Sequence, residues 1–258
     1  MGTTAHLAAR SMALVTGGSR GIGAAAALAL AARGYDVAIT YRNKAARANE
    51  VQAAASGKGV RALALQSDIT SIEDQDRLFA ALREWGGQLH LLILNASGGL
   101  ERDLLAADPD YPMHINRDAQ LAMLERALPL MVRGSSVVFV TSHWAHLYGK
   151  VEQLPNYTPI AETKHAGEQA LRERQELLAQ RGIRLLVVTG DLIDGTITPK
   201  LLERKAPGLA KQRLGEVGKL PTAEEMGEAI AAAATDATLP SGHTVVVGGA
   251  LETLLPPS

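Results

Sequence analysis

The sequence predicts an α/β fold, a doubly wound parallel sheet of seven strands flanked by helices, and two observations lead there. Seven short β-rich runs alternate along the chain with longer Ala- and Leu-rich stretches, which is the order of a sheet built from crossover connections. Most of those runs are continuously apolar rather than alternating, as strands buried on both faces are.

In order, the predicted strands are residues 12–16, 37–40, 60–66, 91–94, 137–141, 185–189 and 244–247. The stretches between them long enough for crossover helices are 23–33, 44–56, 71–85, 117–132, 161–180 and 223–235. Nothing resembling a linker, repeat or low-complexity tract interrupts them, so residues 1–258 read as a single domain. One stretch breaks the rhythm. Residues 190–221 carry glycines and prolines but no strand, longer than an ordinary connection, and they leave the carboxyl end of a strand. On such a fold, that is the place for a substrate lid over about 191–221.

Composition narrows the chemistry. The 258 residues include no cysteine, which removes disulfides, thiolate catalysis and thiolate metal sites. Lys and Arg total 26 against 27 Asp and Glu, so no net charge draws the chain to nucleic acid or to an acidic membrane. No apolar run approaches the roughly 18–20 residues of a membrane span. Residues 1–10 have neither a charged nor an apolar leader region, so the expected location is cytoplasmic. His143 and His146 are spaced as a metal pair could be, but no third ligand accompanies them and no metal is expected; pocket lining or plain packing are the other readings of the pair.

After the first strand comes Thr16-Gly17-Gly18-Ser19-Arg20-Gly21-Ile22-Gly23, running straight into an Ala-rich helix. Such glycines permit a tight turn and a close approach of backbone to a pyrophosphate, and the helix N-terminus offers free N–H groups to the anion. This Thr-Gly-x3-Gly-x-Gly spacing resembles the short-chain dehydrogenase/reductase family, and further landmarks follow in that family's order from about residue 11 to 252. Asp68 and Ile69 sit where it places an acidic residue near the adenine. Asn95-Ala96-Ser97-Gly98 resembles its Asn-Ala-Gly motif, Asn116 its structural or catalytic Asn, Ser142 its carbonyl-orienting Ser, and Lys164 its active-site Lys. Thr189-Gly190-Asp191-Leu192-Ile193 takes the place of its nicotinamide segment, with Ile193 toward the cofactor. The resemblance implies a Rossmann-type sheet, a nicotinamide cofactor held by Gly17, Ser19, Arg20, Gly21, Ile22, Gly23, Asn95, Ala96 and Lys164, and a homodimer or homotetramer. It places the oligomer contact on the helix that carries Ala166, Gly167, Ala170 and Leu171.

The tip of the second strand reads Ile39-Thr40-Tyr41-Arg42-Asn43-Lys44 and holds no carboxylate to bind a ribose 2′-hydroxyl. Arg42, with Arg20 of the glycine loop, suits a 2′-phosphate, so NADP(H) is expected over NAD(H). The plain alternative is a pair of surface arginines.

The family's usual Tyr-x3-Lys is missing, because Ile160 stands four residues before Lys164. What remains is Tyr157, seven residues before Lys164, with Pro159 marking a helix that starts only after the tyrosine. This Tyr-x6-Lys spacing, preceded by Pro155-Asn156, resembles the NADPH-dependent enoyl-acyl carrier protein reductases, a branch that often has a second tyrosine upstream, for which Tyr148 is the candidate. It implies hydride transfer to a conjugated C=C of an enoyl thioester, Tyr157 hydrogen-bonding the enolate oxygen and Lys164 lowering the tyrosine's pKa. A ketone reduction using Ser142, His143 or His146 in place of the usual tyrosine is the alternative. A non-catalytic NADP(H) sensor is the reading from outside the enzymes. The expected substrate is a small or carrier-linked acyl compound. Residues 199–220 carry six basic residues, Lys200, Arg204, Lys205, Lys211, Arg213 and Lys219, against Glu203 and Glu216, a local charge of +4 that would attract a phosphorylated carrier, or simply face solvent.

Overall fold

Each of the seven runs becomes a strand. The computed structural model describes residues 10–255 apart from Lys205. Its strands are β1 (Met12–Val15), β2 (Asp36–Tyr41), β3 (Ala62–Gln66), β4 (Leu89–Leu94), β5 (Met131–Ser142), β6 (Arg184–Gly190) and β7 (Thr244–Val247). They form one parallel sheet in the order β3-β2-β1-β4-β5-β6-β7. β1 pairs with β2 on one side (Ala13 opposite Val37) and with β4 on the other (Ala13 opposite Leu91), so the winding reverses beside it. That reversal opens a crevice at the carboxyl ends of the strands.

The unbroken apolar runs are explained by burial on both faces. In β4, Leu92 and Leu94 enter one core with Leu14, Met123, Leu124 and Phe139. Their neighbours Leu91 and Ile93 enter the opposite core with Val15, Leu30, Val138 and Ile230. Each such side chain contributes about 1.5–3 kcal/mol of burial, so both helical layers are held by the same strands. Among the described residues, no helix is long and apolar enough to cross a membrane.

The helices depart from expectation where backbone pairing overrides pattern. The predicted helix 117–132 ends at Ala127, because Met131 already pairs with Leu89 in the sheet, and it begins earlier as a π-helical turn over His114–Asp118. The predicted 161–180 helix is two helices, Thr158–Arg172 and Gln175–Gln180, the first opening with Pro159 in its first turn, where the missing N–H costs nothing. Gly190 still belongs to β6; residues 191–221 form no strand, but they contain helices Ile197–Glu203 and Leu209–Val217, and Asp194 makes a lone parallel bridge to Thr222. Gly167 and Leu171 turn inward: a Cβ on Gly167 would stand 2.0 Å from the Asn116 carbonyl oxygen, and Leu171 joins the core, so this part of the helix is occupied within the chain.

Candidate active site

The carboxyl ends of β1 to β6 and the 191–221 segment surround one cavity of about 830 Å³. Its floor is the glycine loop. Gly17 and Gly21 adopt left-handed backbone (φ 67° and 53°), and helix Gly21–Ala32 starts at the loop's end, directing its free N–H groups into the cavity. Gly23 allows the close approach: a Cβ there would lie 2.4 Å from the Gly17 carbonyl oxygen. Asn95 locks the turn, donating through Nδ2 to the Thr16 carbonyl at 2.9 Å, while Thr16 Oγ1 accepts the backbone N–H groups of Asn95 and Ala96 at 2.9 and 3.0 Å. Thr40, which the sequence marks only as part of the β2 tip, holds the loop from β2 by accepting Gly17 N–H at 3.1 Å on its hydroxyl.

Beyond the loop, Arg42, Asp68 and Ile69 line one end of the cavity, and Arg20 lies beside Ser19 on the floor. Asp36, at the far end of β2, is committed elsewhere, accepting from Arg61 N and Nε at 2.8 and 2.6 Å. Ile193 and Ala96 complete the walls. Two buried hydroxyls of the lining, Ser67 Oγ and Thr141 Oγ1, have no partner among the described residues. An anion-receiving glycine cradle, a guanidinium at the β2 tip that forms no salt bridge among the described residues, and polar atoms left open in the wall fit a phosphorylated dinucleotide.

At the other end of the cavity Ser142 closes β5 and Tyr157 precedes helix Thr158–Arg172. Asn156 makes this possible: it alone among the described non-glycine residues has left-handed backbone (φ 59°), a conformation asparagine tolerates, and it turns the chain so that Tyr157 enters the cavity. The Ser142 and Tyr157 hydroxyls are 3.0 Å apart. Tyr157 is 5% exposed and Lys164, 9% exposed, lines the same cavity. Burial raises the pKa of Tyr157, and the influence opposing it is the Ser142 hydrogen bond rather than the ammonium expected from the sequence. Burial likewise pushes Lys164 down to about 8, against the attraction of Glu168. An apolar chamber of Leu100, Trp144, Leu154, Ile160 and Leu202 adjoins the two hydroxyls.

Other expected residues stand outside the lining. Asn116 is buried and saturated, donating to the Gly98 carbonyl and Thr163 Oγ1, both at 3.0 Å, and accepting from Ser97 Oγ at 2.9 Å; it staples the Ser97-Gly98 turn to helix Thr158–Arg172. Tyr148 packs beside His165, ring centroids 5.9 Å apart. The pocket-lining role expected of the two histidines falls to Trp144 between them. His143 is fully buried against Thr189 Oγ1 at 3.0 Å, and burial lowers its imidazole to about 4. His146 bonds the Glu168 carboxylate at 2.9 Å. No group of metal-ligating side chains forms among the described residues.

The basic segment is less free than its composition implies. Arg213 is buried on Asp191, with Nη2 to Oδ2 at 2.8 Å, and also bonds Glu216; Lys219 bonds Glu225. Lys205 lies outside the described residues. Conversely, Tyr111, which none of the sequence motifs includes, lines the cavity, and its hydroxyl accepts from Arg42 Nη1 at 2.9 Å.

Comparison with known proteins agrees with this geometry. The family model described as enoyl-(acyl carrier protein) reductase matches residues 17–250. The chain is 29% identical over 260 residues to 1-cyclohexenylcarbonyl-CoA reductase of Streptomyces collinus, covering 96% of this chain and 89% of that protein. Among solved structures, a short-chain dehydrogenase from Burkholderia cenocepacia in complex with NADP superposes with a TM-score of 0.80 at 28% identity, over 94% of this chain and 98% of that one. The angucycline C-6 ketoreductase LanV with bound NADP gives 0.78 at 26% identity, over 94% and 96%. The chain belongs to the short-chain dehydrogenase/reductase family and is an oxidoreductase.

Proposed function

We propose that this oxidoreductase uses NADPH to reduce a C=C bond conjugated to the carbonyl of an apolar acyl substrate, a thioester or a related enone. The observation that carries the reading is the Ser142–Tyr157 pair, two hydroxyls 3.0 Å apart at the border between the cofactor cradle and an apolar chamber. When bound, NADPH supplies the hydride; the glycine loop and the N-terminus of helix Gly21–Ala32 receive its pyrophosphate, Arg42 with Arg20 its 2′-phosphate, and Lys164 its ribose.

The rest falls to the protein. The apolar chamber excludes water and seats the acyl chain. Tyr157 and Ser142 converge on the substrate's carbonyl oxygen, where negative charge develops as the β-carbon is reduced; one such donor is worth about 10²–10³ in rate. The state of Tyr157 sets the direction. Burial, opposed by the Ser142 hydrogen bond, keeps the phenol protonated at neutral pH, which is the form that donates a hydrogen bond to an enolate. The 191–221 segment acts as a lid: Leu202 of helix Ile197–Glu203 is fully buried beside the chamber. We assign the chain to a homodimer or homotetramer, supported by the outer edge of β7, which among the described residues pairs only with β6 and leaves Val246 42% exposed.

Reduction of a ketone is the second reading, favoured by the Ser142 hydroxyl, because a Ser and a Tyr donor together suit an oxygen that becomes an alkoxide. NADPH oxidation with matched enoyl thioesters, enones and ketones, followed by product identification, tests both. Saturated thioesters or ketones as products support the first reading, and secondary alcohols alone overturn it in favour of the second.

A further inference from the structure

The cavity contains a bridge that the reaction does not explain. Arg42 follows β2 and Tyr111 lies beyond β4, and β1 separates those strands in the sheet. Two strand spacings amount to about 10 Å. The chain beyond β4 closes that gap, and Arg42 Nη1 donates to the Tyr111 hydroxyl at 2.9 Å, nitrogen to oxygen.

The two partners differ in freedom. Tyr111 is 6% exposed and belongs to the main core. Gly98 approaches its ring so closely that a Cβ there would stand 3.0 Å from the phenol oxygen. Arg42 is half-buried, and what fixes its backbone is the Gln66 amide donating to its carbonyl at 3.0 Å. A long, rotamer-rich side chain is therefore tethered to a rigid one. The tether uses a single N–H of the five that a guanidinium carries, leaving a fork of donors for an anion.

Burial does most to raise the pKa of Tyr111; Arg42 acts in the opposite sense, and Glu101 and Asp68 add to the rise. The hydroxyl thus stays protonated and accepts from Arg42 through its lone pair. Its role toward the guanidinium is to hold it in place without neutralising it.

We propose that Tyr111 is a cofactor-selecting residue: it presents Arg42 to the 2′-phosphate of NADP(H) in advance of binding. The inference rests on the assignment of Arg42 to that phosphate. An arginine already oriented loses less freedom when the phosphate arrives, so affinity for the phosphorylated cofactor rises while affinity for NAD(H), which offers Arg42 no anion there, is unaffected.

Calorimetric titration of the full chain with NADP⁺ and NAD⁺ tests this without reference to turnover. Tyr111→Phe keeps the ring in the core and removes only the tether. It is expected to weaken NADP⁺ binding about 5–10-fold and to leave NAD⁺ binding within about twofold. In an Arg42→Ala background the same substitution is expected to have no further effect on NADP⁺, because the group it orients is gone. Equal weakening of both cofactors, in a variant whose melting temperature is unchanged, would overturn the proposal in favour of simple packing at the adenine end. Unchanged or tighter NADP⁺ binding would overturn it in favour of a tether that competes with the phosphate. Failure of the underlying assignment looks different: Arg42→Ala alone would then leave NADP⁺ affinity intact.

Discussion

Ser142 Oγ and Tyr157 Oη lie 3.0 Å apart although fifteen positions separate them, one closing β5 and the other preceding the next long helix. The displaced tyrosine thus reaches the serine that the sheet presents. If both act on one substrate oxygen, their removal should not be additive. Tyr157→Phe is expected to lower kcat about 100-fold or more, Ser142→Ala about 10-fold or more, and the double variant little more than Tyr157→Phe alone. NADP⁺ affinity should be unchanged in all three. Multiplicative losses in steady-state kinetics would show two independent roles.

Lys164 makes the site sensitive to pH. Burial lowers it to about 8 in the folded chain, against about 10.4 for an exposed lysine. Below pH 8 the ammonium is present in the cavity and attracts an anionic cofactor; as pH rises through 8 it is lost. NADP⁺ binding is therefore expected to weaken across that interval, and Lys164→Met to flatten the step. The stability sign is opposite. Between about pH 8 and 10.4 the unfolded chain holds a proton that the native one has released, so native stability rises with pH. Lys164→Met should accordingly be more stable than the parent at pH 7, by up to the order of 3 kcal/mol, with the gap narrowing above pH 8. Urea unfolding at pH 7 and 9.5 reads it.

What was legible in the sequence was local. The strands could be read because each is a short apolar run whose alternate residues enter two cores, and the glycine loop because one uninterrupted stretch specifies strand, turn and helix start. Tyr157 could be placed ahead of its helix from Pro159 alone. Pairing across the fold was not legible. Tyr111 meets Arg42 only because β2 and β4 flank β1, and Met131 leaves the predicted helix only because Leu89 offers it a partner. Asn116 could be located, but not its four-way saturation, which keeps it out of the cavity lining. Counting charges likewise assigned Arg213 to the surface, since nothing near it in sequence reveals that Asp191 waits beneath it.

Two glycines test how closely the backbone is fitted. At Gly23 a Cβ would stand 2.4 Å from the Gly17 carbonyl oxygen and 2.6 Å from Asn95 Nδ2, atoms of the cradle itself. Gly23→Ala must displace the loop, at about 1–3 kcal/mol, and should weaken NADP⁺ binding about 10-fold or more. Gly215, inside helix Leu209–Val217, has open space around it. There the same substitution should stabilise the chain by about 0.5–1 kcal/mol and leave cofactor binding unchanged. Thermal melts and calorimetry distinguish the two.

Within the 191–221 segment a buried ion pair ties helix Leu209–Val217 back to the residue that follows β6. Arg213, whose side chain is 4% exposed, donates from Nε and Nη2 to the Asp191 carboxylate at 3.0 and 2.8 Å, and its guanidinium lies 5.5 Å from the centre of the Trp144 ring. Trp144 lines the apolar chamber, so the pair couples helix Leu209–Val217 to the chamber wall. Arg213→Met keeps much of the packing but leaves the Asp191 carboxylate with only the backbone N–H groups of Leu192 and Gly249, at 2.7 and 3.2 Å. An uncompensated buried charge costs about 3–5 kcal/mol, enough to lower Tm by roughly 10 °C in a chain of this size. If the segment is the lid proposed above, KM for a bulky acyl substrate should rise while NADP⁺ affinity stays within about twofold, because the glycine cradle does not touch Arg213. Replacing both partners, Asp191→Asn with Arg213→Met, removes the stranded charge and should recover most of the lost Tm without recovering KM. Recovery of both would mean that the pair maintains only the fold and has no part in closing the chamber.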